Sequence, residues 1–258
     1  MGLVPRPWSY LDAPTPLALA HRGAHGEGIT ENSTAAFEWA VSLGYRYVET
    51  DVHATADGRL VAFHDGTLDR VTDQSGAIAD LSYRTVARAR LADGSPIPLL
   101  EDLLGAWPDL RLNIDAKDDR AVGPLLDVLA RTGAYGRVCV GAFSDARIRD
   151  IRRALPPGTA TALAPREVAA LRLNVTGTLR RQWLPDQVPC VQVPVGLGWL
   201  TLVDGPFVRR AHAQGRQVHV WTIDDPAEMH RLLDLGVDGI VTDNATGLLD
   251  VLAERSGP

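Results

Sequence analysis

Cysteine is almost missing from this 258-residue chain: its two copies, Cys139 and Cys190, each lie inside an apolar, strand-like run. With no CxxC spacing and no crowd of partners, they read as buried packing residues of a reducing compartment, and a disulfide between them has no support in the pattern. An excess of basic charge is missing too. A formal net charge of −6 argues against a nucleic-acid scaffold, and it means that any anionic ligand needs a local cation to reverse the field. Long hydrophobic runs are absent: no stretch approaches the ~20 apolar residues of a membrane span. The opening MGLVPRPWSYLDAPTP is rich in proline and lacks the continuous apolar core of a secretory signal. The resulting expectation is a cytoplasmic protein.

What is present is a globular composition, 45% hydrophobic and 22% charged, in a length that suits one closed α/β barrel. Short β-rich runs alternate with amphipathic stretches. Expected strands are Leu17–Arg22, Tyr47–Ala54, Arg111–Lys117, Arg137–Phe143, Thr159–Leu163, Cys190–Val195, Gln217–Ile223 and Gly239–Thr242. Expected helices follow most of them: Glu31–Leu43, Arg120–Arg131, Asp145–Ala154, a proline-opened helix from Pro165 to Leu171, Asp204–Gln214, Pro226–Leu235 and Ala245–Ala253. The alternation alone also allows an open doubly wound sheet. The count of eight favours one (β/α)8 barrel, a TIM barrel of class α/β, spanning residues 1–258. Some 55 residues separate the second and third barrel strands, too many for an ordinary connection. Leu60–His64 reads as a further short strand there, and turn signals at Asp65-Gly66, Ser75-Gly76 and Asp93-Gly94 mark a small insertion over roughly 65–98.

Residues two apart on a barrel strand face the same way, and chemistry collects at strand C-termini. His21-Arg22-Gly23 closes the first strand with a proton-transfer group, a planar oxyanion binder and a sharp turn. Glu49-Thr50-Asp51 closes the second, with His53 on the same side. Two crowded carboxylates repel unless a cation or a proton intervenes, and a hard divalent ion such as Mg²⁺ or Ca²⁺ suits oxygen ligands better than zinc does. Asn113, Asp115 and Lys117 alternate with Ile114 and Ala116 on the third strand, a polar row that is costly unless it lines a site. Asp115 can complete a three-carboxylate set, and Lys117 can meet a phosphoryl oxygen or pair structurally with Glu49 or Asp51. His64-Asp65 alone is a weak signal. Trp221 reads first as packing and second as an apolar wall for a substrate. Asn174-Val175-Thr176 fits a glycosylation sequon without a secretory context, and Arg180-Arg181 reads as a solvated loop. Asp238 and Asp243 would repel an anion bound at the last loop.

Taken in order, His21-Arg22-Gly23, Glu31-Asn32-Ser33, Glu49-Thr50-Asp51, His64-Asp65, Asn113-Ile114-Asp115-Ala116-Lys117, Val220-Trp221-Thr222 and Gly236–Asp243 resemble the glycerophosphodiester phosphodiesterase family along nearly the whole chain. The insertion after the second strand looks like that family's subdomain. The resemblance implies metal-dependent hydrolysis of a glycerophosphodiester to glycerol 3-phosphate and an alcohol. It implies a divalent metal ion, Mg²⁺ or Ca²⁺, on Glu49, Asp51 and Asp115, and His21 and His64 as acid and base. It places Arg22 and Lys117 on the phosphoryl oxygens, Trp221 against the glycerol, and Glu31 and Asn32 as braces. Asp115 departs from the pattern, since glutamate is common there, and Ser33 stands where threonine is frequent. The attacking oxygen, water or a neighbouring glycerol hydroxyl, stays open, as do the leaving alcohol and the oligomeric state. The partner expected is a small glycerophosphodiester, with no nucleic acid and no membrane span. Competing readings are a lysophospholipase D-type hydrolase of the same fold, a non-catalytic phosphodiester-binding barrel, and a sugar-phosphate isomerase or aldolase. The last would want a late glycine-rich phosphate loop or a Schiff-base lysine, and it leaves two separated histidines unexplained.

Overall fold

A computed structural model describes residues 8–26, 28–173, 184–198 and 200–256. The sequon at Asn174 and the Arg180-Arg181 pair lie outside them. Eleven strands occur among the described residues: β1 Leu17–Ala20, β2 Tyr47–Ala54, β3 Leu60–Ala62, β4 Arg111–Ala116, β5 Val138–Gly141, β6 Ala160–Thr161, β7 Cys190–Pro194, β8 Gly196–Leu197, β9 Leu200–Thr201, β10 Gln217–Trp221 and β11 Gly239–Thr242. Eight of them run parallel in the order β6-β5-β4-β2-β1-β11-β10-β7. A parallel bridge from Ala162 to Cys190, with the Leu163 amide donating to the Cys190 carbonyl at 2.9 Å, links the two ends and closes the ring. Each expected barrel strand has its counterpart, and where the ends differ the strand is shorter by one or two residues, mostly at its C-terminus. The architecture is a (β/α)8 barrel.

The helices are α1 Thr34–Ser42, α2 Tyr83–Val86, α3 Leu100–Ala106, α4 Val122–Thr132, α5 Asp145–Ala154, α6 Pro165–Leu173, α7 Gly205–His212, α8 Pro226–Asp234 and α9 Ala245–Ser256. Among the described residues no helix is long and apolar enough to cross a membrane. Helix α1 begins three residues later than its pattern suggests. Asn32 takes a left-handed φ of 56°, and Ser33 is the true cap, its hydroxyl accepting from the Ala36 amide at 3.0 Å. Helix α3 is absent from the sequence expectation although its signal is plain. Leu100, Leu103 and Leu104 recur at helical spacing and are all buried, and Glu101 and Asp102 fill the first turn.

Apolar strand residues facing outward pack under the helices, whereas the barrel interior is closed at the strand N-termini by a short turn, Ser9–Leu11. Tyr10 there meets Tyr47 edge-on at 5.2 Å, and the Tyr47 hydroxyl donates to the Tyr10 carbonyl at 2.7 Å. Cys139 and Cys190 are free thiols buried in the same interior cluster. His219, wholly buried beside Gln192 and Gln217, is pushed down to about 4 by burial and is a neutral packing histidine. The long β2 runs on past the barrel to pair antiparallel with β3. The segment that follows has its own apolar centre of Phe63, Leu68, Ile78, Val86, Leu91 and Ile97. That insertion carries His64 to the rim of the barrel mouth.

Candidate active site

The mouth at the strand C-termini holds a cavity of about 390 Å³. His21, Arg22, Glu49, Asp51, His64, Asp115, Lys117 and Trp221, all singled out from the sequence, line it. Their convergence follows from register. Glu49 pairs with Asn113 and Asp51 with Asp115 across β2 and β4, so the pleat turns two successive rows of polar side chains into the barrel. Gly23 lets the chain turn off β1 immediately after Arg22. Its φ is +82°, and a Cβ there would lie 2.7 Å from the Ala36 carbonyl carbon, so only glycine lets α1 pack against this turn.

The carboxylates form the centre. Asp51, almost fully buried, contacts Lys117 Nζ at 2.8 Å and Arg22 Nε at 3.1 Å, and it accepts from Asn32 Nδ2 at 3.3 Å. Lys117, the only lysine in the chain, also reaches Asp115 at 3.0 Å. Burial would lower the Lys117 pKa, but Asp115 and Asp51 outweigh it and hold the ammonium charged. Burial, reinforced by the charges of Asp51 and Asp115, pushes the Glu49 carboxyl well up. Asp115 also rises through burial. The Asp115 Oδ1 and Asn113 Oδ1 atoms are buried without a hydrogen-bond partner among the described residues. Three carboxylates against two cations, with unmatched oxygen acceptors beside them, are a donor set that fits a hard divalent ion. The structural ion pair of Lys117 with Asp51 coexists with this arrangement.

Each histidine is held by a carboxylate at Nδ1. His21 Nδ1 lies 2.6 Å from Asp243 Oδ1, with its Nε2 3.8 Å from Glu49. His64 Nδ1 lies 2.6 Å from Asp65 Oδ1. Arg70 donates to Asp65 at 2.6 Å, and these contacts hold the Asp65 carboxyl down at about 2. Arg70 also grips Glu31, which pairs with Arg22 at 3.0 Å, so one alternating chain of charges runs from His64 to Asp115. Since an ionised carboxylate only accepts, both rings present Nε2 for chemistry. His53 is a brace: Asp118 holds its Nδ1 at 2.8 Å, and its Nε2 meets the His64 carbonyl at 3.1 Å.

Sequence reasoning missed three contributors. In sequence Asp243 reads as repelling an anion, whereas its carboxylate is engaged by His21 and His25, and those two hydrogen bonds overcome burial to hold it well below the usual carboxylate range. Asp65 was visible only as a neighbour of His64. Phe143, 64% exposed, meets Trp221 edge-on at 5.7 Å and continues an apolar wall with Leu163, Val168 and Leu202. A lone aromatic past a strand end carries no periodic signal to mark it.

Comparison with known proteins places the chain in a family. The model of the glycerophosphoryl diester phosphodiesterase family matches residues 21–246. A probable glycerophosphodiester phosphodiesterase 2 of Mycobacterium tuberculosis is 44% identical over 241 residues, covering 93% of this chain and 91% of that protein. A human lysophospholipase D is 29% identical, over 91% of this chain and 85% of its own. Among solved structures, an Oleispira antarctica phosphodiesterase in complex with the product sn-glycerol-3-phosphate superposes with a TM-score of 0.77 at 21% identity, covering 93% of this chain and 97% of that one, a likeness of fold. By the span of the family match and the identity to the mycobacterial relative, this chain belongs to the glycerophosphoryl diester phosphodiesterase family and is an enzyme of that class.

Proposed function

We propose that this chain hydrolyses glycerophosphodiesters to glycerol 3-phosphate and an alcohol, with His21 and His64 as the acid–base pair. The observation that carries the reading is the pairing of two carboxylate-anchored histidines with three carboxylates in one cavity. Such anchoring selects the ring nitrogen that works, as a third group does in catalytic triads. One imidazole deprotonates the attacking oxygen and the other protonates the leaving alkoxide, each transfer supplying typically ~10²–10⁴-fold. Arg22 and Lys117 offer donors to the phosphoryl oxygens. Glu49, Asp51 and Asp115 would hold a divalent ion, Mg²⁺ or Ca²⁺. When bound, that ion supplies electrostatic stabilisation of charge developing on the phosphoryl group. Trp221 offers a ring face to the glycerol carbons.

A second reading, a lysophospholipase D-type activity, is favoured by the apolar side of the cavity. Phe143 and Leu197 are more than 60% exposed at a mouth that Leu163, Val168 and Leu202 also line. An acyl chain on the substrate's glycerol would cover them. One assay separates the readings: glycerophosphocholine and lysophosphatidylcholine are incubated in parallel across a Mg²⁺ and Ca²⁺ series, with EDTA as control. Metal-dependent release of glycerol phosphate supports the first, and preferential turnover of the lysolipid the second. Replacing His21 or His64 with alanine should lower turnover by ~10²–10⁴-fold with the circular dichroism unchanged. Turnover that survives EDTA, or either alanine variant, would remove the ion or that histidine from the proposal.

A further inference from the structure

His25 lies four residues beyond His21 and reaches the same carboxylate oxygen. Its Nε2 is 2.8 Å from Asp243 Oδ1, and His21 Nδ1 is 2.6 Å from that atom. The three donor atoms lie within 4.8 Å of one another, the only such trio of histidine, cysteine or acidic residues among the described residues. Asp243 is rigidly placed at the end of β11. Its amide donates to Asp224 Oδ1 at 2.8 Å, and the same oxygen accepts from the Thr242 hydroxyl at 3.0 Å. The side chains are 16%, 20% and 39% exposed, so an ion can reach them without the loop opening.

The donor set differs in kind from the neighbouring carboxylates. Two imidazole nitrogens and one carboxylate oxygen suit borderline ions such as Zn²⁺ and Co²⁺, whereas an all-oxygen set suits Mg²⁺ or Ca²⁺. We propose that His21, His25 and Asp243 form a separate transition-metal site whose occupation by Zn²⁺ or a similar ion switches off His21. Without an ion, both rings donate an N–H to Asp243. On binding, each ring gives up the N–H aimed at Asp243 and carries its proton on the other nitrogen, His21 on Nε2 and His25 on Nδ1, so both lone pairs meet the ion. Ligand bonds of ~2.0–2.1 Å at tetrahedral angles set donors about 3.3 Å apart, so each imidazole nitrogen needs to draw back from Asp243 Oδ1 by roughly half an ångström. His21 is then fixed with Nε2 protonated and cannot accept a proton there. The binding stands on this geometry alone, and its inhibitory consequence rests on the reading of His21 as an acid–base group.

The test titrates Zn²⁺ into the full chain in excess Mg²⁺, using a chromophoric chelator for affinity and the visible absorption of Co²⁺ for ligand geometry, and measures Mg²⁺-supported turnover in parallel. One zinc should bind and inhibit. His25→Ala, and His25→Gln as its near-isosteric counterpart, should weaken zinc binding by at least ~100-fold, lose the Co²⁺ spectrum and free each variant's own Mg²⁺-supported turnover from inhibition by zinc. His25→Cys should restore tight binding through its thiolate. Zinc affinity unchanged in both His25→Ala and His25→Gln, or no zinc bound by the natural chain in excess Mg²⁺, overturns the site. Zinc that binds through His25 without inhibiting overturns the switch and points to the role of His21.

Discussion

Lys117→Met tests the charge balance of the site directly. The methionine keeps the length of the stem and removes the charge that lies 2.8 Å from Asp51 and 3.0 Å from Asp115. At an effective dielectric of about 20, unit charges about 3 Å apart attract by roughly 5 kcal/mol, and burial of both ions offsets much of this. Breaking one partner of such a buried group costs about 3–5 kcal/mol, because Asp51 and Asp115 would face Glu49 with Arg22 as the remaining cation. For a chain of this length that corresponds to a fall in Tm of roughly 6–20 °C in EDTA. With all three carboxylates ionised, as a bound cation favours, the site charge is −1 with Lys117 and −2 without it, and a divalent ion offsets either. Millimolar Mg²⁺ or Ca²⁺ should therefore recover more than half of the deficit. Scanning fluorimetry of both proteins, with chelator and with ion, measures this. A variant with unchanged Tm in EDTA, or a deficit equal in both conditions, refutes the reasoning.

Three further outcomes follow from the same geometry. Glu49→Gln should raise Tm in EDTA at pH 7, because burial and two neighbouring charges lift the Glu49 carboxyl in the fold; its favourable contribution is present at low pH and lost as pH rises through that lifted value. Mg²⁺ should reverse the ranking by stabilising the natural chain alone. Asp65→Asn should have the opposite profile: a carboxyl held at about 2 against an ordinary 3.8 stabilises the fold above pH 3.8, so the Tm deficit at pH 7 should narrow as pH falls from 4 toward 2. A pH-independent deficit would assign the loss to packing. Phe143→Ala should leave Tm within a degree or two, since the ring is 64% exposed, yet raise KM for lysophosphatidylcholine more than for glycerophosphocholine. Equal effects on both substrates would remove Phe143 from any contact with an acyl chain.

The eight barrel strands and the polar rows of Glu49-Asp51 and Asn113-Asp115-Lys117 are legible in the sequence because strand period and strand-end chemistry are local signals. Helix α3 carries the same kind of signal, but it follows an irregular segment with no strand before it to frame it. Pairings made by tertiary folding were out of reach. Asp243 lies 222 residues from His21, and only the closing of β11 against β1 brings its carboxylate to the imidazole. Taken alone, Asp243 was a repulsive charge; beside two histidines it is an anchor. Arg70 joins Asp65 to Glu31 for a similar reason, since the fold of the insertion sets the distance. Composition and periodicity specify which residues enter the barrel mouth. The direction each side chain takes there, and which neighbour neutralises it, depends on contacts between distant strands that only closure of the sheet creates.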